Sequence, residues 1–131
     1  MAEMSNYLEN ALINATLRNT SYTSPTTTYL ALYTTDPTDA DTGTEVSGGS
    51  YARQAITFGS ASGGSESSTN SQTFNGMPAE TTGVPYIGVW SAATSGTYIC
   101  GGTNTGTSAS ANIPAGAIVT FAIAGVTATI S

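Results

Sequence analysis

Four carboxylates in one polar stretch are the most evident candidates in this sequence for metal binding or acid–base catalysis. Asp36, Asp39, Asp41 and Glu45 lie in the run TDPTDADTGTEV and make up half of the eight acids. Their oxygens could bind Ca²⁺, but an EF-hand loop needs acids at alternate positions, a fixed glycine and a terminal glutamate. The spacing here does not match that pattern, so the sequence favours a solvated loop whose acids cap turns.

Hydrolytic chemistry finds little support in the same stretch. The triplet Asp41-Thr42-Gly43 matches that of the aspartic proteases, in which two aspartates share a proton in a dry site. In this chain the triplet stands in a polar loop without an apolar strand to present it. Cleavage of sugars needs two carboxyl groups at a set separation with one of them held protonated, and nothing in the sequence arranges such a pair.

Other catalytic and cofactor chemistries lack the side chains that they require. The chain has no histidine and a single cysteine, Cys100, which excludes Ser–His and Cys–His nucleophiles and a zinc site. A phosphate-binding glycine loop with its lysine is missing as well. We therefore expect no enzyme activity, no catalytic residue, no metal and no cofactor. Cys100 is expected to be a buried, unreactive thiol because no cation lies near it in sequence.

Arg53 is the only positively charged residue after Arg18. We predict a structural ion pair between Arg53 and Glu45, or another acid of the loop, that pins the loop to the following strand. The alternative is that Arg53 contacts another subunit or a partner. With a net charge of −6, the chain is a poor match for nucleic acid or for anionic membranes, which both attract lysine and arginine.

The elements that would position these side chains are short strands. A strand is predicted over residues 26–34, since its apolar side chains alternate between two faces. One face carries Leu30 and Leu32, and the other carries Tyr29, Ala31 and Tyr33. Because both faces are apolar, the strand is expected at the centre of a sheet or at an interface between subunits. A long loop over 36–50 and a second strand over 51–58 follow.

A helix is predicted over residues 5–18. Ser5 or Asn6 can cap it, and Glu9 stands three residues after Asn6 as in a capping box. Helical spacing places Leu8, Ala11, Leu12 and Ala15 in one apolar stripe. A single stripe needs a single partner surface, so we expect the helix to pack on the edge of a sheet. The alternative is an arm that docks on a neighbouring subunit.

The rest of the chain predicts more short strands between turns. The main segments are 72–74, 84–90, 96–100, 117–124 and 126–130. Together they indicate a mainly β protein, β-sandwich-like or jelly-roll-like, with one short N-terminal α-helix. We expect a single domain over 1–131, with a helix or arm over 1–20 and a β-rich body over 26–131.

A long segment resembles a known family. The run YLALYTTDPTDADTGTEVSGGSYARQAITF, with the preceding helix and strand, is similar to a signature of small tailed-phage virion proteins over about residues 4–58. Proteins of this kind are labelled tail-fibre or virion structural proteins, and some look like capsid cement proteins. The resemblance implies a structural protein without catalytic residues, and for cement proteins it implies β-sandwich trimers on the capsid exterior.

Two functions follow as hypotheses. The first is a capsid cement or decoration protein, a homotrimer on the outside of the virion that bridges neighbouring copies of the major capsid protein. The alternative is a tail-tip or tail-fibre component that binds host surface glycans, on which Trp90, Tyr86 or Tyr51 could stack. A hydrolase of cell-wall sugars would need a perturbed carboxyl pair. The candidate interface residues are Tyr29, Ala31, Tyr33, Asp36, Asp39, Asp41 and Glu45.

Overall fold

The computed structural model describes residues 2–129, which form nine strands and one α-helix. The expected class, mainly β with a helix at the N-terminal end, is confirmed. The elements are β1 (Ala2–Met4), α1 (Asn6–Leu17), β2 (Thr28–Tyr33), β3 (Gln54–Ile56), β4 (Ser65–Ser67), β5 (Gln72–Phe74), β6 (Tyr86–Trp90), β7 (Tyr98–Thr103), β8 (Val119–Phe121) and β9 (Thr127–Thr129).

Three antiparallel sheets make up the sandwich. The largest has five strands in the order β1-β7-β6-β2-β3, and the pairs β4-β9 and β5-β8 form two smaller sheets. A single cluster of buried apolar side chains joins the five-stranded sheet to β5 and β8. Its largest members are Leu30 and Leu32 from β2, Phe74 from β5 and Phe121 from β8. Burial of these side chains is the main force that holds the layers together.

The helix begins where the sequence predicts. Ser5 is the N-cap, and its hydroxyl accepts a hydrogen bond of 3.1 Å from the backbone N–H of Leu8. The helix contacts β1 and β7, which form one edge of the large sheet. No helical residue is fully buried, and Leu17 at the C-terminal end is 78% exposed. The helix therefore packs on the sheet edge with a half-buried stripe and leaves an apolar outer side in solvent.

Strand β2 lies inside the large sheet, as the fourth of its five strands, which agrees with its two apolar faces. It pairs with β6 on one side and with β3 on the other. The second predicted strand, over 51–58, is shortened to Gln54–Ile56. The outer side of β3 is covered by a side-chain amide, because Asn70 donates to Ala55 O at 3.0 Å and accepts from Thr57 N at 2.9 Å. A covered edge does not offer free backbone groups to another strand.

The long loop is folded, although the sequence predicts an irregular connection. Its returning part runs beside the end of β2, where Thr34 N donates to Thr44 O and Val46 N donates to Leu32 O, both at 2.9 Å. Thr42 N closes a turn onto Pro37 O at 2.7 Å. We call residues 36–45 the acidic loop. Within residues 2–129, no helix is both long enough and apolar enough to span a bilayer.

Candidate functional site

The two faces of the five-stranded sheet differ in chemistry. One face presents aliphatic side chains to the core, and the other carries the aromatic residues Tyr29, Tyr33, Tyr86, Trp90 and Tyr98. We call the second the aromatic face. At its centre the cross-strand neighbours are small: Ala31 in β2, Gly88 in β6 and Gly101 in β7. These positions leave room for aromatic rings to lie flat over the backbone.

Three of the rings on this face, those of Tyr33, Trp90 and Tyr98, form one packed group. Tyr98 contacts Trp90 edge to face with centroids 5.8 Å apart, and Tyr33 in the same manner at 6.4 Å. An added Cβ on Gly88 would lie 2.8 Å from the Tyr33 ring and 2.9 Å from the Tyr98 ring. The glycine therefore makes space for both tyrosines, and aromatic pairs of this geometry add stability beyond their buried area.

Arg53 and Glu45, which the sequence pairs, lie in bidentate contact. Arg53 Nε lies 2.9 Å from Glu45 Oε1, and Arg53 Nη2 lies 2.8 Å from Glu45 Oε2. Arg53 Nη1 also donates to the backbone oxygens of Ala92 at 3.1 Å and Ser95 at 2.9 Å. The guanidinium carbon lies 3.7 Å from the centre of the Trp90 ring. We call this arrangement the arginine clip, because it joins the acidic loop to the β6–β7 turn.

Burial makes the arginine clip a strong constraint. The Arg53 side chain is 9% exposed and that of Glu45 is 25% exposed. Burial by itself would lower the pKa of Arg53, but the hydrogen bonds and negative charge of Glu45 outweigh it, so the pKa lies above its ordinary value. Four hydrogen bonds from the guanidinium hold Arg53 against Glu45 and the backbone of the β6–β7 turn.

Two tyrosines tie the acidic loop to the sheet. The Tyr51 hydroxyl donates to Glu45 Oε1 at 3.0 Å and accepts from Leu32 N at 2.9 Å. The Tyr33 hydroxyl donates to Asp41 Oδ1 at 2.9 Å and accepts from Trp90 Nε1 at 2.9 Å. Each hydroxyl thus bonds on both sides, and the loop is held over the aromatic face rather than extended into solvent.

This placement corrects part of the predicted interface. Ala31 and Tyr33 are buried within the chain, at 0% and 1% exposure, because the acidic loop and the neighbouring rings cover them. They present no surface to a partner in this fold. Tyr29 is half-buried, as are Asp41 and Glu45, whereas Asp36 and Asp39 are exposed. The acids that remain open to a partner are therefore at the start of the loop.

The aromatic residues that the sequence suggests for sugar stacking also fall into two groups, those that are engaged within the chain and one that lines a cavity. Trp90 is covered on one side by Arg53, and its indole N–H is bonded to Tyr33. The Tyr51 ring stacks on the Phe74 ring with the centroids 5.8 Å apart, and its hydroxyl is hydrogen-bonded to Glu45 and to Leu32 N. Tyr86 is half-buried and lines an open cavity. Of the three, Tyr86 has the ring that a ligand can reach.

That cavity lies between the acidic loop and the edge of the sheet and has a volume of about 180 Å³. Its walls include Glu3 from β1, Asp36 from the acidic loop and Tyr86 from β6. Tyr98 and Gly101 also line it. Sequence reasoning missed Tyr98 and Glu3; adjacent glycines within a strand are the one signal that could have indicated a close approach here.

Tyr98 is the unusual member of the cavity wall. It is 5% exposed, and among residues 2–129 its hydroxyl has no hydrogen-bond partner. Burial raises the pKa of Tyr98 well above its ordinary value, and Coulombic interactions with ionised Cys100, Asp41, Asp36 and Glu3 add to this. The phenol therefore stays protonated and carries a donor that lacks an acceptor, which is rare for a buried polar group.

The described residues contain no cluster of side chains that could bind a metal ion. There, no three side chains of the histidine, cysteine, aspartate and glutamate types converge as a metal site would require. The arrangement suits binding through hydrogen bonds and ring contacts, since its strongest charges already neutralise each other.

Comparison with known proteins identifies the family. A family model described as podophage GP4 fiber I protein gp80 matches residues 3–129. The chain belongs to this family. The predicted kinship with tailed-phage virion proteins is thereby confirmed at the level of the family, and the particular signature in residues 29–58 stays a prediction. No curated protein matches the chain. The match to the fiber I family spans the helix, the arginine clip and the cavity.

Alkaline pH is expected to destabilise this fiber I family member. Burial raises the pKa of Tyr33, Tyr51 and Tyr98 above their ordinary value of 10.0, and that of Cys100 from 9.0 to about 11. The unfolded chain releases these protons at lower pH than the folded chain does, so stability falls as the pH rises. The melting temperature should be constant from neutral pH to about pH 9 and should then decrease as the pH is raised to 11. A level profile throughout would contradict the burial of these groups.

Proposed function

We propose that the chain is a non-enzymatic structural component of a phage tail fibre. The match of residues 3–129 to a family described as a fiber protein is the observation that carries this proposal. Fibre function fits the geometry, because Arg53 and Glu45 bond to each other beside the Trp90 ring and hold the acidic loop in a fixed position. Rigid β scaffolds present binding groups at fixed positions.

The fibre role replaces the capsid cement role as the preferred function. The cement hypothesis rests on a resemblance in the first part of the chain, whereas the family match covers the body as well and has a fiber protein as its description. We keep self-association as part of the proposal, since fibres are assembled from repeated contacts. The exposed apolar side chains of Ile13 and Leu17 stand four residues apart on the helix and are candidate contacts for a neighbouring copy.

The copy number of the chain in purified virions tests the proposal. A fibre component should be present as a small multiple of the portal protein, because fibres are attached around the single tail of a podophage. Quantitative mass spectrometry against the portal and major capsid proteins measures this ratio. A copy number that approaches that of the major capsid protein would reject the fibre role and restore the cement hypothesis.

A further inference from the structure

We propose that the helix α1 of one copy of the chain docks into the groove beside β8 of the next copy, an inference that rests on the proposed fibre function. The groove has a volume of about 430 Å³ and is lined by β8 with its flanking residues and by residues of the segment 106–114. Two features carry the proposal, the positions of the exposed apolar side chains and the distribution of charge along the chain.

The large apolar side chains that are exposed within residues 2–129 fall into two patches. Tyr7, Ile13 and Leu17 lie on α1, whereas Ile118 and Ile123 flank β8 in the sequence. Their exposed fractions range from 50% to 78%. Single apolar residues are common on the surface of a monomer, but grouped ones mark a contact with another molecule. Each patch therefore calls for a covering surface.

The groove beside β8 lacks the protection that a monomer gives to a strand edge. Among residues 2–129, β8 pairs with β5 alone, so its other edge has no partner strand. Ile113, Val119 and Phe121 line the groove and also belong to the core. Exposed edges are usually blunted by charged side chains, lysine above all, and the described residues that line this groove include no charged one. The groove is therefore suited to being covered.

The distribution of charge favours a second copy as the occupant. All eight acids and both arginines precede residue 81, so the region that contains the groove carries no charged side chain. Two copies with a net charge of −6 repel each other, and the repulsion is least where one of the two contacting surfaces is neutral. The groove can accept the helix without placing Glu9 against another acid.

The shapes of the two patches favour a contact of helix with groove. Ile13 and Leu17 stand four residues apart on a convex surface, which is the spacing of the anchors that an amphipathic helix inserts into an apolar groove. A contact of two helices would leave the groove uncovered, and a contact of two grooves would leave the helix uncovered. Within one chain α1 packs on β1 and β7, so it does not cover its own groove. Such a head-to-tail contact closes into a ring or continues as a filament.

Analytical ultracentrifugation of two variants, alone and mixed, tests the inference. Leu17→Glu disables the helix surface and Ile118→Glu disables the groove; both positions are exposed, so both variants should keep the melting temperature of the parent. We expect the parent chain to self-associate and each variant to associate at least about tenfold more weakly, because a buried aliphatic contact is replaced by a charge. The equimolar mixture should form heterodimers, since one intact helix and one intact groove remain.

Ala61→Glu is the matched control, because it adds the same charge at an exposed position outside both patches and should leave association unchanged. Ile123→Glu replaces Ile118→Glu if the latter lowers the melting temperature. A parent chain that stays monomeric up to millimolar concentration, or a mixture without heterodimers, would overturn the inference. Weakening by only one of the two variants would also overturn it, in favour of a contact between two helices or between two grooves. These outcomes leave the fibre role intact, because that role is judged by copy number in the virion.

Discussion

Replacing Arg53 by methionine is expected to lower the free energy of unfolding by about 3 kcal/mol. The change removes the bidentate contact with Glu45, the two bonds to the β6–β7 turn and the contact with the Trp90 ring. Loss of one partner from a buried pair leaves the other charge without compensation, which costs roughly 3–5 kcal/mol. The lower end applies because Glu45 is 25% exposed and keeps its bond from Tyr51.

Arg18→Met is the matched control for this measurement. Within residues 2–129 the Arg18 side chain makes one exposed hydrogen bond, of 3.3 Å, to Asn14 Oδ1, so its loss should change stability by less than about 0.5 kcal/mol. Chemical denaturation of the two variants at the same pH gives the comparison. Similar small effects for both would show that the arginine clip does not hold the acidic loop. A double change of Arg53→Met with Glu45→Gln should recover part of the loss, since no unpaired charge is left.

Replacing Gly101 by alanine is expected to lower the free energy of unfolding by roughly 2–3 kcal/mol. The new methyl group would meet the Tyr98 hydroxyl and would lie 2.8 Å from the backbone oxygen of Ile87. The Ile87 oxygen belongs to the neighbouring strand β6, so the methyl group can be accommodated only if the sheet shifts or the Tyr98 ring moves. Either adjustment loosens the packing of the aromatic face and deforms the wall of the cavity.

Gly59→Ala provides the control for the added methyl group. Its Cβ would lie 3.6 Å from Thr69 Cγ2, an ordinary contact, so a change of less than about 0.5 kcal/mol is expected. Adding Tyr98→Phe to Gly101→Ala should restore part of the stability, because it removes the nearest obstacle, the hydroxyl, and leaves the contacts with Ile87 O at 2.8 Å and with the ring Cζ at 3.1 Å. Thermal unfolding of the parent chain, Gly101→Ala, Tyr98→Phe and the double variant measures this coupling. An unaltered melting temperature for Gly101→Ala would contradict the close approach of Tyr98 to β7.

The features that sequence reasoning could predict depend on neighbours along the chain. The cap at Ser5 and the helix that follows are encoded within four residues. Alternation in β2 marks it as a strand with two apolar faces, and its position between two neighbouring strands agrees with them. The contact of Arg53 with Glu45 also bridges a short separation, and few other charges compete for either partner.

The features that sequence reasoning could not predict depend on the register between distant strands. Glu3 meets Gly101 only because β1 pairs with β7 across most of the chain. Tyr98 lies in β7. The sequence pattern predicts a strand there, but it does not predict which rings lie beside Tyr98. Ala31 and Tyr33 were predicted as an interface because apolar strand faces need cover. The cover comes from the chain's own acidic loop, which local patterns describe as irregular.

The location of the chain in the intact virion tests the fibre assignment most directly. A cryo-electron microscopy reconstruction at side-chain resolution would show the five-stranded sheet, with Arg53 between Glu45 and the Trp90 ring, wherever the chain resides. The fibre role predicts this density in the fibres attached to the tail. Density for the same sheet between neighbouring subunits on the capsid exterior, with none in the fibres, would contradict it.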